Sequence, residues 1–175
     1  MTDAVAVPPG SAAPGLVDAL HRAGLTLAVA ESLTGGAVAS AVVDVPGASR
    51  VLRGGVVAYA TDLKSTLLGV DPDLLDRTGP VDPDVAAHMA QGVRVRLGAD
   101  LGAATTGVAG PQPQDGHPPG EVHVAVAWDG GVRVRSVNLA GDRSTIRAET
   151  TRTVLELALA VLGEEAGHLR RRAEP

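Results

Sequence analysis

The sequence predicts a single-domain, three-layer α/β sandwich whose sheet is largely parallel with an antiparallel hairpin portion. Three observations carry this expectation. Short apolar runs that suit buried strands, "LTLAVAE" (25–31), "GGVVAYA" (54–60) and "ADLGAATTGVAG" (99–110), alternate with segments of helical periodicity. The stretch "EVHVAVAWDGGVRVRSVNLAG" (121–141) alternates apolar and polar residues on both sides of Asp-Gly-Gly, as a hairpin does. The chain has 175 residues, 45% of them hydrophobic, enough for one sizeable core and too few for two.

In chain order, residues 1–12, rich in Pro, Gly and Ala, are expected to be a disordered tail ahead of a domain spanning 13–165. Leu16, Val17 and Leu20 recur at helical spacing before Gly24, the pattern of a short amphipathic helix with a glycine stop. After the first apolar run, "GAVASAVVD" (36–44) reads as a helix, "VPGAS" (45–49) as a turn, 54–60 as a second buried strand and 61–70 as another helix. In "VDPDVAAHMAQGVRVRLG" (81–98) Asp82 is placed to cap, Pro83 suits the first turn, and Val85, Ala86, Met89 and Val93 share a face. "PQPQDGHPP" (111–119) cannot join a ladder, because proline lacks the amide donor, and is expected to be an exposed loop. From Asp142 to Ala166, Ile146, Val154, Leu157, Ala158 and Val161 keep helical spacing and leave Glu149 and Arg152 for water. The Val, Leu and Ala residues of this helix also suit a homo-oligomer, with a dimer favoured. A charged tail, 166–175, ends the sequence.

Composition removes several classes of function. No cysteine occurs, which excludes disulfides, thiolate catalysis and cysteine-ligated metal centres. The net charge is −5, from 15 basic and 20 acidic residues, and only "HLRRR" clusters basic side chains, so nucleic acid is not an expected partner. Phe is absent and Tyr59 and Trp128 are the only aromatics, so stacking platforms for single strands are missing too. The beginning "MTDAVAVPP" places an acid where a signal peptide needs positive charge, and no apolar stretch approaches the roughly 20 residues that span a bilayer. A soluble, cytoplasmic protein with no membrane partner is expected.

In a parallel sheet ligands gather beyond the carboxyl ends of the strands. Three polar breaks fall there: Glu31 to Gly36, Ala60 to Lys64, and Thr105 to Gly110. The first, "ESLTGG", lets backbone approach a ligand and points a helix N-terminus at any anion, so it reads as a phosphate cradle. It reads equally as a glycine-punctuated turn in which Ser or Thr caps the helix. It is neither a P-loop nor a dinucleotide fingerprint.

Ser32 is a candidate nucleophile if a base can take its proton. The histidines serve poorly, since His21 and His88 fall on helices, His117 in the proline loop, His123 along a strand and His168 in the tail. Lys64 is the single lysine among the 15 basic residues and stands at the start of the helix after the second strand. To act as a base it needs its pKa brought from about 10.4 toward 7–8, by desolvation or a nearby cation. Tyr59, at the strand end, is placed either to relay that proton or to pack in the core. Thr106 and Gly107 are read as hydrogen-bond donors into the same crevice or as parts of a tight turn, and Arg143 as a salt-bridged cap or a fork for phosphate.

The ordered set "AESLTGG" (30–36), "VPGAS" (45–49), "GGVVAY" (54–59) with Lys64, "LLGV" (67–70), "TGVAGP" (106–111), "GEVHVA" (120–125) and "GDR" (141–143) resembles the nicotinamide-nucleotide amidohydrolases, the family of the C-terminal domain of the competence/damage-inducible protein CinA. The resemblance runs from the first helix to Leu162. It implies a stand-alone enzyme that hydrolyses the carboxamide of nicotinamide mononucleotide to nicotinate mononucleotide and ammonia, a step of pyridine nucleotide salvage, with no metal or organic cofactor. It implies that Ser32 attacks the amide carbon, with Lys64 as base and Tyr59 close by. Glu31, Leu33, Thr34, Gly35 and Gly36 would form the substrate loop, whose backbone donors hold the oxyanion. Thr106, Gly107, Gly110 and Arg143 would bind ribose and phosphate. Glu31 is read as a tie for the loop in preference to a partner for Lys64. The chain departs from the family pattern at Ala60 and Thr61, where Ser and Asn are usual, at Asp82 in place of Ser, and in 111–119, where a glycine-rich loop is usual. The alternative reading is a non-catalytic nucleotide-binding or regulatory domain of the same fold. An NAD-dependent oxidoreductase shares the fold class but needs a glycine fingerprint that is absent.

Overall fold

The structure, a computed structural model, describes residues 12–170, with side-chain surroundings through 165. Of the expected tails, residues 1–11 and 171–175 lie outside the described residues. The chain begins with helix α1 (Ala13–Ala23), whose Leu16, Val17 and Leu20 face inward. Burying each such side chain contributes about 1.5–3 kcal/mol. Gly24 ends the helix in the left-handed conformation (φ 67°), with its amide returned to the last turn.

Strand β1 (Leu27–Glu31) follows and is buried throughout, because it lies inside the sheet. Then come α2 (Ala37–Val43), a 3₁₀ turn (Ala48–Arg50) where the sequence suggested a turn, β2 (Leu52–Val57), α3 (Thr61–Leu68), α4 (Pro72–Thr78) and α5 (Pro83–Arg96). The second half contains β3 (Leu101–Gly107), β4 (Glu121–Trp128), β5 (Gly131–Asn138) and α6 (Arg143–Arg170).

The sheet order is β2-β1-β3-β4-β5. β1 pairs parallel with β2 and β3, and β4 runs antiparallel between β3 and β5, so β4 alone opposes the common direction. The expected hairpin is β4–β5, joined through Asp129 and Gly130. One face of the sheet packs Leu27, Val29, Leu101, Ala103, Val122, Val124 and Val126 against α1, α2 and α6. The other packs Ala28, Ala30, Ala104, Ala125 and Ala127 against α5 and its neighbours. The alanines let α5 sit close. A Cβ at Gly102 would run into the carbonyl of Ala90, and one at Gly92 into the carbonyl of Leu68.

Two expectations need correction. The second strand spans 52–57 and is a half-buried edge, because β2 has a partner on one side only. The Ala58 amide makes the last bond to β1, at the Glu31 carbonyl (2.8 Å), and Tyr59 lies beyond the strand, 58% exposed instead of packed in the core. Helix α4 was not anticipated: Asp71 accepts from the amide of Asp73 at 3.0 Å and Pro72 occupies the first turn, the same start used by Asp82 and Pro83 in α5. Val154, Leu157, Ala158 and Val161 of α6 are packed inside this chain's own core. No helix among the described residues is long and apolar enough to cross a membrane.

Candidate active site

The carboxyl ends of β1 and β3 meet the start of α3 at a cavity of about 310 Å³. Ser32 is the first residue beyond β1. Its amide donates to the Thr105 carbonyl at 3.1 Å, and its own carbonyl accepts from Gly35 at 3.0 Å, which closes a tight turn over residues 32–35. Side chains alternate across a strand, so Glu31 faces the α2 side. There it is 1% exposed, and its carboxylate accepts from the amides of Gly36 at 2.9 Å, Val38 at 3.0 Å and Ala39 at 2.8 Å. The start of α2 therefore already holds an anion, and it is the protein's own.

That arrangement corrects the phosphate-cradle reading of "ESLTGG" and the placing of Glu31 among substrate ligands. Glu31 ties the loop down. Thr34, also buried, shares a 2.8 Å hydrogen bond between its Oγ1 and that of Thr105. Neither of these residues, nor Gly35 or Gly36, lines the cavity, whereas Ser32 and Leu33 do.

Lys64 enters from the opposite wall. It stands one turn into α3, which starts immediately after the Ala58–Ala60 turn, and its side chain runs back under that turn. It is 1% exposed. Its Nζ lies 2.9 Å from Ser32 Oγ and donates to the Ala58 carbonyl at 2.9 Å. Among the described residues it has no carboxylate partner, and burial lowers its pKa from 10.5 to about 8. A lysine that gives up its proton near pH 8 thus rests against a serine hydroxyl.

Arg143, at the start of α6, gives one guanidinium nitrogen to the Gly110 carbonyl at 2.8 Å and the other to Tyr59 Oη at 2.7 Å. It joins two of the three loops. The cap of α6 is Asp142, whose carboxyl is held down to about 2 by the Thr145 amide and the Ser144 hydroxyl. Arg143 is therefore no salt-bridged cap. Its charge enters a cavity whose wall, among the described residues, contains no Asp or Glu. Tyr59 lines the same cavity and its hydroxyl accepts from Arg143; among the described residues it makes no hydrogen bond to Lys64 or Ser32.

Gly107 and Gly110 fall in the wall as expected. Thr106 does too, but its Oγ1 donates to the Pro80 carbonyl at 2.6 Å and so faces a ligand as an acceptor, not a donor. The 111–119 loop, exposed as expected apart from half-buried His117 and Pro119, contributes Gln112 and Gln114. The four histidines with described side chains stay out of the cavity: His117 pairs with Glu121 at 2.9 Å, and His123, its pKa lowered by burial, bonds to Ser136 at 2.8 Å. Among the described residues no cluster of three or more His, Asp or Glu could hold a metal ion.

Sequence reasoning missed Arg147. Its Nε donates to the Leu33 carbonyl at 3.1 Å and its Nη2 to the Thr34 carbonyl at 2.7 Å. The available signal was its spacing of four from Arg143, which places both on one face of α6.

Fold and site together define an α/β domain carrying a buried serine–lysine pair at the carboxyl ends of its parallel strands. The chain belongs to the CinA C-terminal domain family, whose model matches residues 11–162. It is 53% identical over 137 residues to a CinA-like protein of Frankia casuarinae, covering 78% of this chain and 32% of that one. A CinA-like protein of Gloeobacter violaceus is 50% identical over 141 residues, covering 79% and 33%. The chain thus spans about a third of the length of these relatives. Among solved structures, the competence/damage inducible protein CihA of Agrobacterium tumefaciens superposes with a TM-score of 0.83 at 35% identity, over 86% of this chain and 93% of that one. The CinA superfamily protein of Escherichia coli superposes with a TM-score of 0.82 at 32% identity, over 91% and 93%.

Proposed function

We propose that this domain hydrolyses the exocyclic carboxamide of nicotinamide mononucleotide to nicotinate mononucleotide and ammonia, as a step of cytoplasmic pyridine nucleotide salvage. The observation that carries the chemistry is the 2.9 Å contact between Ser32 Oγ and a buried Lys64 Nζ whose pKa is about 8. Nζ donates to both Ser32 Oγ and the Ala58 carbonyl; once neutral, the amine can keep a hydrogen on Ala58 and accept from the serine with its lone pair.

Ser32 Oγ attacks the amide carbon as its proton passes to Lys64. When the C–N bond breaks, the ammonium of Lys64 returns that proton to the leaving nitrogen and ammonia departs. Water then attacks the acyl-serine, with Lys64 again as base, and the ester bond breaks to free the carboxylate product and Ser32. The guanidinium of Arg143, in a wall whose described residues include no Asp or Glu, suits a substrate bearing phosphate.

The test is release of ammonia and nicotinate mononucleotide by the purified protein, with nicotinamide riboside and free nicotinamide as controls. Turnover that requires the phosphate supports the reading. A folded protein that binds the mononucleotide and releases nothing would instead be a nucleotide-binding domain, and the amidase reading would be wrong.

A further inference from the structure

We propose that Gln112 determines specificity by hydrogen-bonding the ribose hydroxyls of the substrate, a role that rests on the mononucleotide reading above. Most polar side chains of the cavity wall are already committed. Ser32 meets Lys64, Lys64 also meets the Ala58 carbonyl, Thr106 donates to the Pro80 carbonyl, and Arg143 donates to Gly110 and Tyr59. Gln114 reaches its neighbour Asp115 at 3.4 Å. Two polar side chains of the wall, Gln112 and Thr61, make no hydrogen bond among the described residues. Thr61 brings one hydroxyl at the start of α3, whereas Gln112 brings a carboxamide, with two donor hydrogens and an acceptor oxygen, on a longer arm.

The segment that carries Gln112 is ordered before any ligand arrives. Gln112 stands between Pro111 and Pro113, and a proline ring fixes its own φ and restricts the residue before it. Arg143 holds the Gly110 carbonyl at 2.8 Å, and Gln114 and His117 exchange amide-to-carbonyl bonds at 3.1 and 2.9 Å. His117 Nδ1 meets the Glu121 carboxylate at 2.9 Å, and the Glu121 amide donates to the Pro118 carbonyl at 3.2 Å. A side chain on such a segment adds affinity at a low entropic cost. The mononucleotide presents three kinds of polar group. Its carboxamide goes to Ser32 and Lys64, and its phosphate, an acceptor, suits the guanidinium of Arg143. The ribose hydroxyls both donate and accept, as the side chain of a glutamine does. In dinucleotide-binding folds a carboxylate takes the ribose hydroxyl. The described wall holds no carboxylate, and one placed there would oppose the phosphate. A neutral glutamine serves the diol without that repulsion.

The experiment measures kcat and KM for nicotinamide mononucleotide and for its 2′-deoxy and 3′-deoxy analogues in wild type, Gln112→Met and Thr61→Val, with calorimetric binding of the same three ligands. Gln112 is exposed, so its methionine variant should fold as wild type does. Loss of a neutral hydrogen bond weakens binding by about 3- to 10-fold. Gln112→Met is therefore expected to raise KM and Kd for the mononucleotide by about that factor and to leave kcat within about twofold. On one or both deoxy analogues most of that effect should vanish, because the partner hydroxyl is already gone. An unchanged KM for the mononucleotide, an equal loss on all three ligands, or a dependence on the hydroxyls that follows Thr61 and not Gln112 would overturn the role. If calorimetry gives the expected pattern and no ammonia is released, the ribose contact stands and the amidase reading falls. A wild type that does not bind the mononucleotide would overturn both.

Discussion

Replacing Lys64 with methionine should abolish turnover and yet stabilise the fold near neutral pH. Lys64 is 1% exposed, and burial holds its pKa at about 8 against 10.5 for a solvated lysine. At about 1.4 kcal/mol per unit of pH, the protonated amine costs the folded state about 3 kcal/mol at pH 7. Methionine fills a similar volume but leaves the Ala58 carbonyl without its donor, which gives back about 1–2 kcal/mol. The net gain at pH 7 is then about 1–2 kcal/mol. Linkage fixes the pH dependence. Below about pH 8 both wild-type states hold the proton and the cost is fully present; between about 8 and 10.5 the unfolded state binds more protons, so wild-type stability climbs with pH. By pH 10 less than about 1 kcal/mol of the cost remains, and the variant should be the less stable protein. Urea unfolding followed by far-ultraviolet circular dichroism at pH 7 and pH 10 reads both values. A difference between the two proteins that is the same at both pH values would refute the reasoning, because it would mean that Lys64 ionises alike in the folded and unfolded chains.

Three further outcomes are expected. With Lys64 as base, kcat/KM should rise with pH and level off above about 8, and Lys64→Arg, which cannot deprotonate, should retain less than about a thousandth of the activity; a flat profile would remove the base. Glu31→Gln keeps the shape but loses the charge that anchors three amides at the start of α2, and should lower unfolding free energy by about 1–3 kcal/mol in urea titration, while an unchanged midpoint would mean the anchor is idle. Arg143→Met should weaken binding of the mononucleotide by about tenfold or more in calorimetry and leave the riboside nearly unaffected; equal losses for both ligands would show that Arg143 shapes the loops without meeting phosphate.

How far the sequence reaches can be judged from particular residues. The apolar runs and the Asp-Gly-Gly hairpin placed the sheet because burial demands apolar residues at fixed periods. The mouths of the strands then located Ser32 and Lys64. Helix α4 was readable and overlooked, since "VDPD" at 70–73 repeats the "VDPD" at 81–84 that had marked α5. The edge position of β2 was not readable, because strand order is set by packing of distant segments. The same limit hid the occupation of the α2 N-terminus. A glycine-rich turn before a helix invites an anion, and only the facing of Glu31, fixed by the register of β1, shows that the chain supplies it. Tyr59 and Thr106 stand at the expected place with their hydroxyls committed elsewhere, to Arg143 and to Pro80.

The central claim is that Ser32 and Lys64 act as one nucleophile and base. The most direct measurement is ammonia release from nicotinamide mononucleotide by wild type, Ser32→Ala and Lys64→Met side by side, each shown to be folded and to bind the mononucleotide. Turnover is expected from wild type alone, with each variant down by about 10³-fold or more. Turnover by either variant within about tenfold of wild type would contradict it, because the 2.9 Å contact would then be an element of structure and not of catalysis.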